Sequence, residues 1–176
     1  MVLSLKIMVC YNAVEKGCDD MGFAEYESKR EEKVDGVIYN MSPGPNFRHG
    51  IMNGNIYKAI GNGLKKSLCL AFMENLDFHY HPDKNDGYVC PDIMIACDRK
   101  YLKGSFYNGV PKFIVETLSP STAKRDKTQK KDMYVLHQSY MLQDDMEDED
   151  YNAEQEICLR AFPHIKMTLG EICAGI

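Results

Sequence analysis

The sequence predicts an α/β domain built around a central mixed β-sheet flanked by helices. Short apolar runs typical of strands alternate with helical patterns in the order strand, helix, strands, helix. The chain has 176 residues, which is enough for one domain with a sizeable core. Its hydrophobic content of 44% and charged content of 27% are those of an ordinary globular protein. No bias towards a fibrous, membrane or disordered class is present.

The first elements follow a weakly patterned N-terminal stretch. Residues 22–33, GFAEYESKREEK, are predicted to form a short polar helix. VDGVIYNM (Val34–Met41) alternates after a turn-forming Asp-Gly pair, which predicts a strand. A helix is predicted from His49 to about Lys66, because apolar side chains recur there at helical spacing: Met52, Ile56, Tyr57, Ile60 and Leu64.

Three apolar segments predict the remaining strands of the sheet. Residues 68–78 form one or two strands, Tyr88–Asp98 forms a strand with Pro91 near its start, and Pro111–Leu118 forms another. RKYLKGSFYNGVP, between the last two, is predicted to be a loop.

The C-terminal third changes character. Residues 121–134 begin with capping residues and predict a basic helix. The acidic run after it is typical of a solvated loop. Residues 157–172 then predict a short strand, a Phe-Pro turn and a brief helix.

A carboxylate inside a predicted buried strand is the first functional signal. Glu116 lies in FIVETLSPST (Phe113–Thr122), where an ionised side chain is costly unless it is paired or holds a cation. Asp92, in VCPDIMI, lies near the start of another predicted strand. Two carboxylates at neighbouring strand ends suit a hard cation such as Mg²⁺, with Mn²⁺ as an alternative. A structural ion pair between Glu116 and a lysine is the competing interpretation.

Four motifs occur in a fixed order along the chain. They are EKVDGVIYNMSP (Glu32–Pro43), HGIMNGNIY (His49–Tyr57), PDIMIACD (Pro91–Asp98) and GVPKFIVETLSPST (Gly109–Thr122). In this order and spacing they resemble the Uma-type predicted endonucleases of the restriction-endonuclease-like PD-(D/E)XK superfamily. The resemblance covers about Glu32 to Lys131. It implies a restriction-endonuclease-like fold and a Mg²⁺-dependent enzyme that hydrolyses phosphodiester bonds in DNA.

The resemblance also implies roles for individual residues. Asp92 and Glu116 are expected to bind the metal. Glu32 is expected to act as a supporting carboxylate, and an ordinary solvated residue at a helix end is the alternative interpretation for it. The superfamily's usual lysine lies two residues after the glutamate, where this chain has Leu118. The Uma-type pattern carries its lysine on the following helix, which by position makes Lys130 the expected electrostatic catalyst. Lys127 and Lys131 are near enough in sequence to be alternatives.

Contacts with the DNA backbone are expected from the basic helix that carries Lys130. The net charge of −5 does not indicate nucleic-acid binding, so such a function requires a local patch. The position of this helix soon after Glu116 favours phosphate contact over a merely solvated face. His49 is a further candidate for contact with substrate or metal, although a satisfied surface histidine is the simpler interpretation. The other basic candidates on the helix are Lys124, Arg125, Lys127 and Lys131.

One departure from the family pattern favours a rival function. The family continues after the basic helix into G-V-x-E-Y-W-I-V-D, whereas here KKDMY runs into VLHQSYMLQDD, and the chain has no tryptophan. Either an internal segment near residues 132–134 is absent from this sequence, or the protein has lost a core strand. The rival is therefore a degenerate, non-catalytic family member that binds nucleic acid or a protein partner.

The remaining expectations concern organisation and compartment. We expect an N-terminal extension and helix over residues 1–31 and the nuclease-like domain over residues 32–176. A homodimer is compatible with the sequence. Seven cysteines without a Cys-x-x-Cys pair argue against a disulfide framework and for a reducing cytoplasm, with Cys90 and Cys97 as small buried hydrophobic residues. No signal peptide or membrane span is expected. His79 and His81 form a His-x-His pair that would suit metal binding from one face of a strand. A surface turn is the preferred interpretation, because Pro82 and a polar run follow them.

Overall fold

The computed structural model describes residues 5–9, 31–40, 47–81, 87–117 and 152–176. Its helices are α1 (Phe47–Gly63) and α2 (Leu169–Ile172), and Arg99–Tyr101 form a 3-10 turn. Its strands are β1 (Leu5–Val9), β2 (Glu31–Val34), β3 (Val37–Asn40), β4 (Leu70–Met73), β5 (Asp77–His79), β6 (Tyr88–Val89), β7 (Ile93–Ala96), β8 (Leu102–Lys103), β9 (Phe106–Tyr107), β10 (Phe113–Thr117), β11 (Glu156–Leu159) and β12 (Phe162–Thr168).

The strands form two sheets and a separate hairpin. A four-stranded sheet has the order β1-β10-β7-β4, with every neighbouring pair antiparallel. A six-stranded sheet has the order β3-β2-β6-β5-β9-β8 and is mixed, because β5 and β9 pair in parallel. Strands β11 and β12 form an antiparallel hairpin. The α/β class is as predicted, but the strands are divided between more than one sheet.

The division is visible within the segment Tyr88–Asp98, which was predicted to be one strand. It forms β6 in the six-stranded sheet and β7 in the four-stranded sheet, with Cys90, Pro91 and Asp92 between them. Proline has no backbone N–H to donate to a ladder, so the chain can leave one sheet here and enter the other. The break places Asp92 at the entrance to β7.

The buried apolar residues in the described part of the chain form two clusters, one on each face of the four-stranded sheet. Every residue of β10 is buried, as expected for a strand covered on both faces. Phe113 and Val115 pack in the cluster that also contains residues of α1, β12 and α2. Ile114 packs in the cluster that contains Phe78, Val89 and Tyr107 of the six-stranded sheet. The four-stranded sheet is therefore the middle layer, between α1 and the second sheet.

The predicted Asp-Gly turn is present, with strands on both sides of it. Asp35 and Gly36 have φ values of 48° and 83°, the left-handed conformation that a two-residue hairpin turn with matching twist requires. Strand β2 precedes this turn and β3 follows it. The helix predicted over residues 22–33 is therefore wrong for Glu31, Glu32 and Lys33, which are strand.

Two further details differ from the prediction. The loop expected after Asp98 contains the 3-10 turn and the short pair β8–β9. The C-terminal turn falls at Arg160 and Ala161, and Phe162 and Pro163 already belong to β12. Helix α2 begins with a capping box between Thr168 and Glu171.

A disulfide joins Cys69 to Cys97. This corrects the prediction that the cysteines do not form a disulfide framework. Both residues are half-buried, so Cys97 is not simply a small core residue. They lie one position beyond the pair Leu70–Ala96, at the same end of β4 and β7. Sequence spacing did not reveal the pair because the two cysteines meet only when these strands align. Neither described helix is long and apolar enough to cross a membrane.

Candidate active site

Two carboxylates lie opposite each other where β4 ends and β7 begins. The register of this antiparallel pair runs from Leu70–Ala96 to Met73–Ile93, so Glu74 and Asp92 occupy the next position on each strand. The backbone N–H of Glu74 donates to the carbonyl of Asp92 at 3.2 Å. Their proximity is therefore a consequence of strand register.

Glu74 has an unusual backbone conformation for a residue with a side chain. Its φ is 35°, in the left-handed region that non-glycine residues adopt at an energetic cost. Such positions cluster at functional sites, where the surrounding structure holds them. Here the conformation lets β4 end and β5 begin within three residues while Glu74 stays beside Asp92.

His49, in the first turn of α1, completes a cluster of three possible ligands. Its Nε2 lies 3.2 Å from Oδ1 of Asp92 and 3.5 Å from Oε1 of Glu74. One ligand atom from each of the three side chains lies within 4.8 Å of the others, a spacing that could hold a metal ion. The exposed fractions are 16% for His49, 16% for Asp92 and 23% for Glu74, so solvent and small ions reach the cluster.

Asn53 and Thr117 hold the two carboxylates in place. Asn53 lies four residues after His49 on the same face of α1 and is fully buried. Its Nδ2 donates to Oε1 of Glu74 at 3.2 Å, and its Oδ1 accepts a hydrogen bond from the hydroxyl of Thr117. The N–H of Thr117 in turn donates to Oδ2 of Asp92 at 2.6 Å. Helix α1 and strand β10 thus orient both carboxylates.

The electrostatics of the cluster favour a positive charge. The hydrogen bond to Asp92 raises the pKa of His49 above its ordinary value, and burial opposes this. The negative charges of Asp92, Glu74 and Glu116 raise the pKa further. The protonated imidazole is thus stabilised where a cation would also be attracted.

Glu116 adjoins this cluster without belonging to the three-residue group. It is buried in β10, one position beyond the pair Val115–Ile93, and its charge acts on His49. The register of β1 and β10 places Lys6 opposite it. The assignment of Glu116 as a metal ligand stays a prediction, as does that of Asp92.

Glu32 lies in β2 and is 1% exposed. It accepts a hydrogen bond from the N–H of Cys90, two residues before Asp92, at 3.3 Å. The pKa of nearby Asp77 is raised, mainly because the carboxyl is buried. A hydrogen bond with the Cys90 side chain opposes this rise, and the negative charge of Glu32 adds to it. Among the described residues, Glu32 is not part of the three-residue cluster, but it holds the backbone that leads to Asp92.

The other candidates fall into two groups. Outside the described residues lie the proposed gap near residues 132–134 and the basic residues Lys124, Arg125, Lys127, Lys130 and Lys131.

His79 stacks between the rings of Tyr88 and Phe106, with centroid distances of 5.5 and 4.6 Å, and burial lowers its pKa. His79 therefore packs within the six-stranded sheet rather than in a surface turn.

Sequence reasoning missed Glu74 and Asn53. Glu74 belongs to LAFMENLDF, which is predicted to be strand, and the available signal was the polar Glu-Asn pair that interrupts an apolar run. Asn53 occupies a core position of a helical pattern otherwise filled by apolar residues. A buried amide normally needs partners, so its polarity at that position was a usable signal.

Comparisons with known proteins place this geometry in a family. The chain is 30% identical over 126 residues to an uncharacterized protein of Synechocystis sp. (strain ATCC 27184 / PCC 6803 / Kazusa), a match covering 68% of this chain and 65% of the relative. The chain thus spans slightly less than two thirds of that relative's length.

A solved structure shares the fold. It is described as the crystal structure of "a putative nuclease belonging to DUF820" from Anabaena variabilis ATCC 29413. The TM-score is 0.64 at 15% sequence identity, covering 86% of this chain and 93% of the other. This match confirms the predicted fold class. The profile of the Uma2 family, described as "Putative restriction endonuclease", matches residues 19–142, and the chain belongs to that family.

Proposed function

We propose that this protein is a metal-dependent nuclease that hydrolyses phosphodiester bonds in DNA. The observation that carries the proposal is the cluster of His49, Glu74 and Asp92, whose ligand atoms lie within 4.8 Å of one another. The cluster is partly open to solvent, and it lies within the segment that matches the family. Charged side chains gathered at a strand end serve binding or chemistry better than stability.

The donor set fits a divalent ion that accepts both oxygen and nitrogen ligands. Two carboxylate oxygens and one imidazole nitrogen suit Mn²⁺ well, whereas Mg²⁺ is usually bound through oxygen atoms alone. The sequence favoured Mg²⁺, and the imidazole shifts our expectation towards Mn²⁺. A bound ion would lower the pKa of a water molecule and polarise a phosphodiester oxygen.

The roles of the protein's own residues follow from their contacts. Asn53 and Thr117 fix the direction of the Glu74 and Asp92 carboxylates, as outer residues do in metal sites. His49 must give up its proton to serve as a ligand, so ion binding should release protons. Glu116 adds negative charge beside the cluster and is a candidate fourth ligand.

The basic helix would supply contacts with the negatively charged DNA backbone, which the acidic cluster would repel. Lys130 is the candidate for stabilising negative charge on the phosphorus oxygens, since Leu118 occupies the superfamily's usual lysine position. Lys124, Arg125, Lys127 and Lys131 would position the DNA backbone. Glu32 supports the segment that carries Asp92.

Cleavage of supercoiled plasmid DNA with Mn²⁺, with Mg²⁺ and with EDTA tests the proposal. We expect nicking with Mn²⁺, none with EDTA, and a loss of more than about 100-fold in Asp92→Asn. The exposed Glu154 provides a matched control, and Glu154→Gln should cleave like the parent. If the parent binds Mn²⁺ but cleaves neither duplex nor single-stranded DNA, the non-catalytic rival is favoured. If no divalent ion binds, the site assignment is wrong.

A further inference from the structure

The Cys69–Cys97 disulfide and the Glu74–Asp92 pair lie at opposite ends of the same two strands. The disulfide precedes β4 and follows β7, and the carboxylates follow β4 and precede β7. Four register pairs, Leu70–Ala96 to Met73–Ile93, separate them. The loop that the disulfide closes therefore contains both carboxylates.

Strand β4 depends on this pairing more than β7 does. Among the described strands it lies at the edge of the four-stranded sheet and has four residues, whereas β7 is paired on both sides, with β10 and β4. Short edge strands are the parts of a sheet that open most readily. Helix α1 also contacts this strand, because the hydroxyl of Tyr57 donates to the carbonyl of Ala71 at 3.3 Å and Ala71 and Met73 pack against the core cluster that contains α1 residues.

Of the three residues in the cluster, Glu74 is the one whose position depends most on whether β4 stays paired. It directly follows β4, and its backbone has the left-handed φ of 35°. A residue in that conformation stays there only while the surrounding structure holds it. Asn53 of α1 holds the Glu74 side chain, and the N–H of Thr117 in β10 holds that of Asp92. The backbone of Glu74 nevertheless continues directly from β4, so its position depends on the pairing of that strand.

We propose that Cys69 and Cys97 form a reversible oxidation site that controls the metal affinity of the cluster through Glu74. The inference rests on the proposed metal site. In the oxidised form the disulfide holds β4 against β7 and keeps Glu74 opposite Asp92. In the reduced form β4 opens more often, and the cluster loses one of its three donors for part of the time.

A hydroperoxide can oxidise the cysteine pair, and a dithiol can reduce it again. A hydroperoxide oxidises the two thiols: the S–S bond forms, the peroxide O–O bond breaks, and the two thiol protons leave in water and the product alcohol or a second water. A dithiol reverses the step, because its two sulfurs become a disulfide while Cys69 and Cys97 regain their protons. Both cysteines are partly exposed, so reagents of these classes can reach them.

The experiment compares the oxidised and the reduced parent, freed of excess reagent, by Mn²⁺ calorimetry and by amide hydrogen exchange with EDTA. Reduction should weaken Mn²⁺ binding by about tenfold, the lower range for loss of a supporting interaction. It should also speed exchange in β4 while leaving β10 unchanged. The variant Cys69→Ser/Cys97→Ser should match the reduced parent and ignore the redox reagents. The exposed Cys158 serves as control, and Cys158→Ser should respond as the parent does.

Equal Mn²⁺ affinity in the two redox states of the parent would overturn the inference and leave the metal site standing. Absence of Mn²⁺ binding in both states would overturn the metal site and the inference together. Because the decisive comparison uses the unmutated chain, poor folding of the double variant would not obscure the result.

Discussion

The backbone N–H of Glu74 donates to the carbonyl of Asp92 at 3.2 Å, so strand pairing holds the two carboxylates opposite each other. Ligand atoms of the two carboxylates lie within 4.8 Å of each other, and two ionised carboxylates that close repel unless a positive charge lies near them. His49 lies 3.2 Å from one carboxylate and 3.5 Å from the other. A metal ion or the protonated imidazole of His49 could supply this positive charge.

Glu74→Gln tests the residue that the sequence did not single out. Removing one of two carboxylate donors should weaken Mn²⁺ binding by at least about tenfold. At a saturating concentration that loss lowers the metal-induced gain in the free energy of unfolding by about 1.4 kcal/mol. Urea unfolding with Mn²⁺ and with EDTA measures it, with Glu154→Gln as control. An undiminished Mn²⁺ effect would exclude Glu74 as a ligand.

His49→Gln tests the raised pKa in the absence of metal. Because the pKa of His49 is higher in the folded state, its stabilising contribution is fully present below the ordinary value of 6.5. It is lost as pH rises through the folded-state pKa. The stability difference between parent and variant in EDTA should therefore shrink as pH rises from 6.5 through the raised folded-state pKa. The exposed His164 is the control, and a difference that stays constant with pH would contradict the assignment.

Asn53→Ala should destabilise the protein by about 1–3 kcal/mol. The amide is fully buried, and its loss leaves Glu74 and Thr117 each without one hydrogen-bonding partner. Asn62→Ala is the matched control, since Asn62 is exposed on the same helix and should change stability by less than about 0.5 kcal/mol. Urea midpoints for the three proteins decide the matter. Equal effects of both substitutions would show that Asn53 has no special role.

Asp77→Asn should stabilise the protein at neutral pH. Burial raises the pKa of Asp77, so the folded state binds its proton more tightly than the unfolded state does. Stability is therefore lost as pH rises from the ordinary value of 3.8 through the raised pKa, and the asparagine avoids that loss. Melting temperatures should favour the variant at pH 7 and converge with the parent in acid. A variant that is less stable at pH 7 would refute this.

Lys130→Ala should reduce DNA cleavage far more than it weakens Mn²⁺ binding. The expected role of Lys130 is to stabilise charge that develops only in the transition state. Lys127→Ala, on the same predicted helix, is the comparison. A large loss of cleavage in Lys127→Ala with none in Lys130→Ala would show that the catalytic lysine was assigned to the wrong position.

The sequence alone determined the class of the fold and much of its local structure. The period of apolar residues after His49 predicted α1, which extends from Phe47 to Gly63. The apolar run ending at Glu116 predicted β10, and the Asp-Gly pair predicted the turn that precedes β3. These features depend on neighbours within a few residues, where periodicity and turn chemistry act directly.

Only the tertiary structure decided which side chains meet. His49 contacts Asp92 across 43 residues, and Asn53 contacts Glu74 across 21. Periodicity indicates which face of a segment is buried, but it does not indicate which strand pairs with which or in what register. The register of β4 and β7 brings Glu74 to Asp92 at one end and Cys69 to Cys97 at the other. The candidate site and its disulfide therefore follow from long-range strand pairing, which the free energy of the whole fold selects.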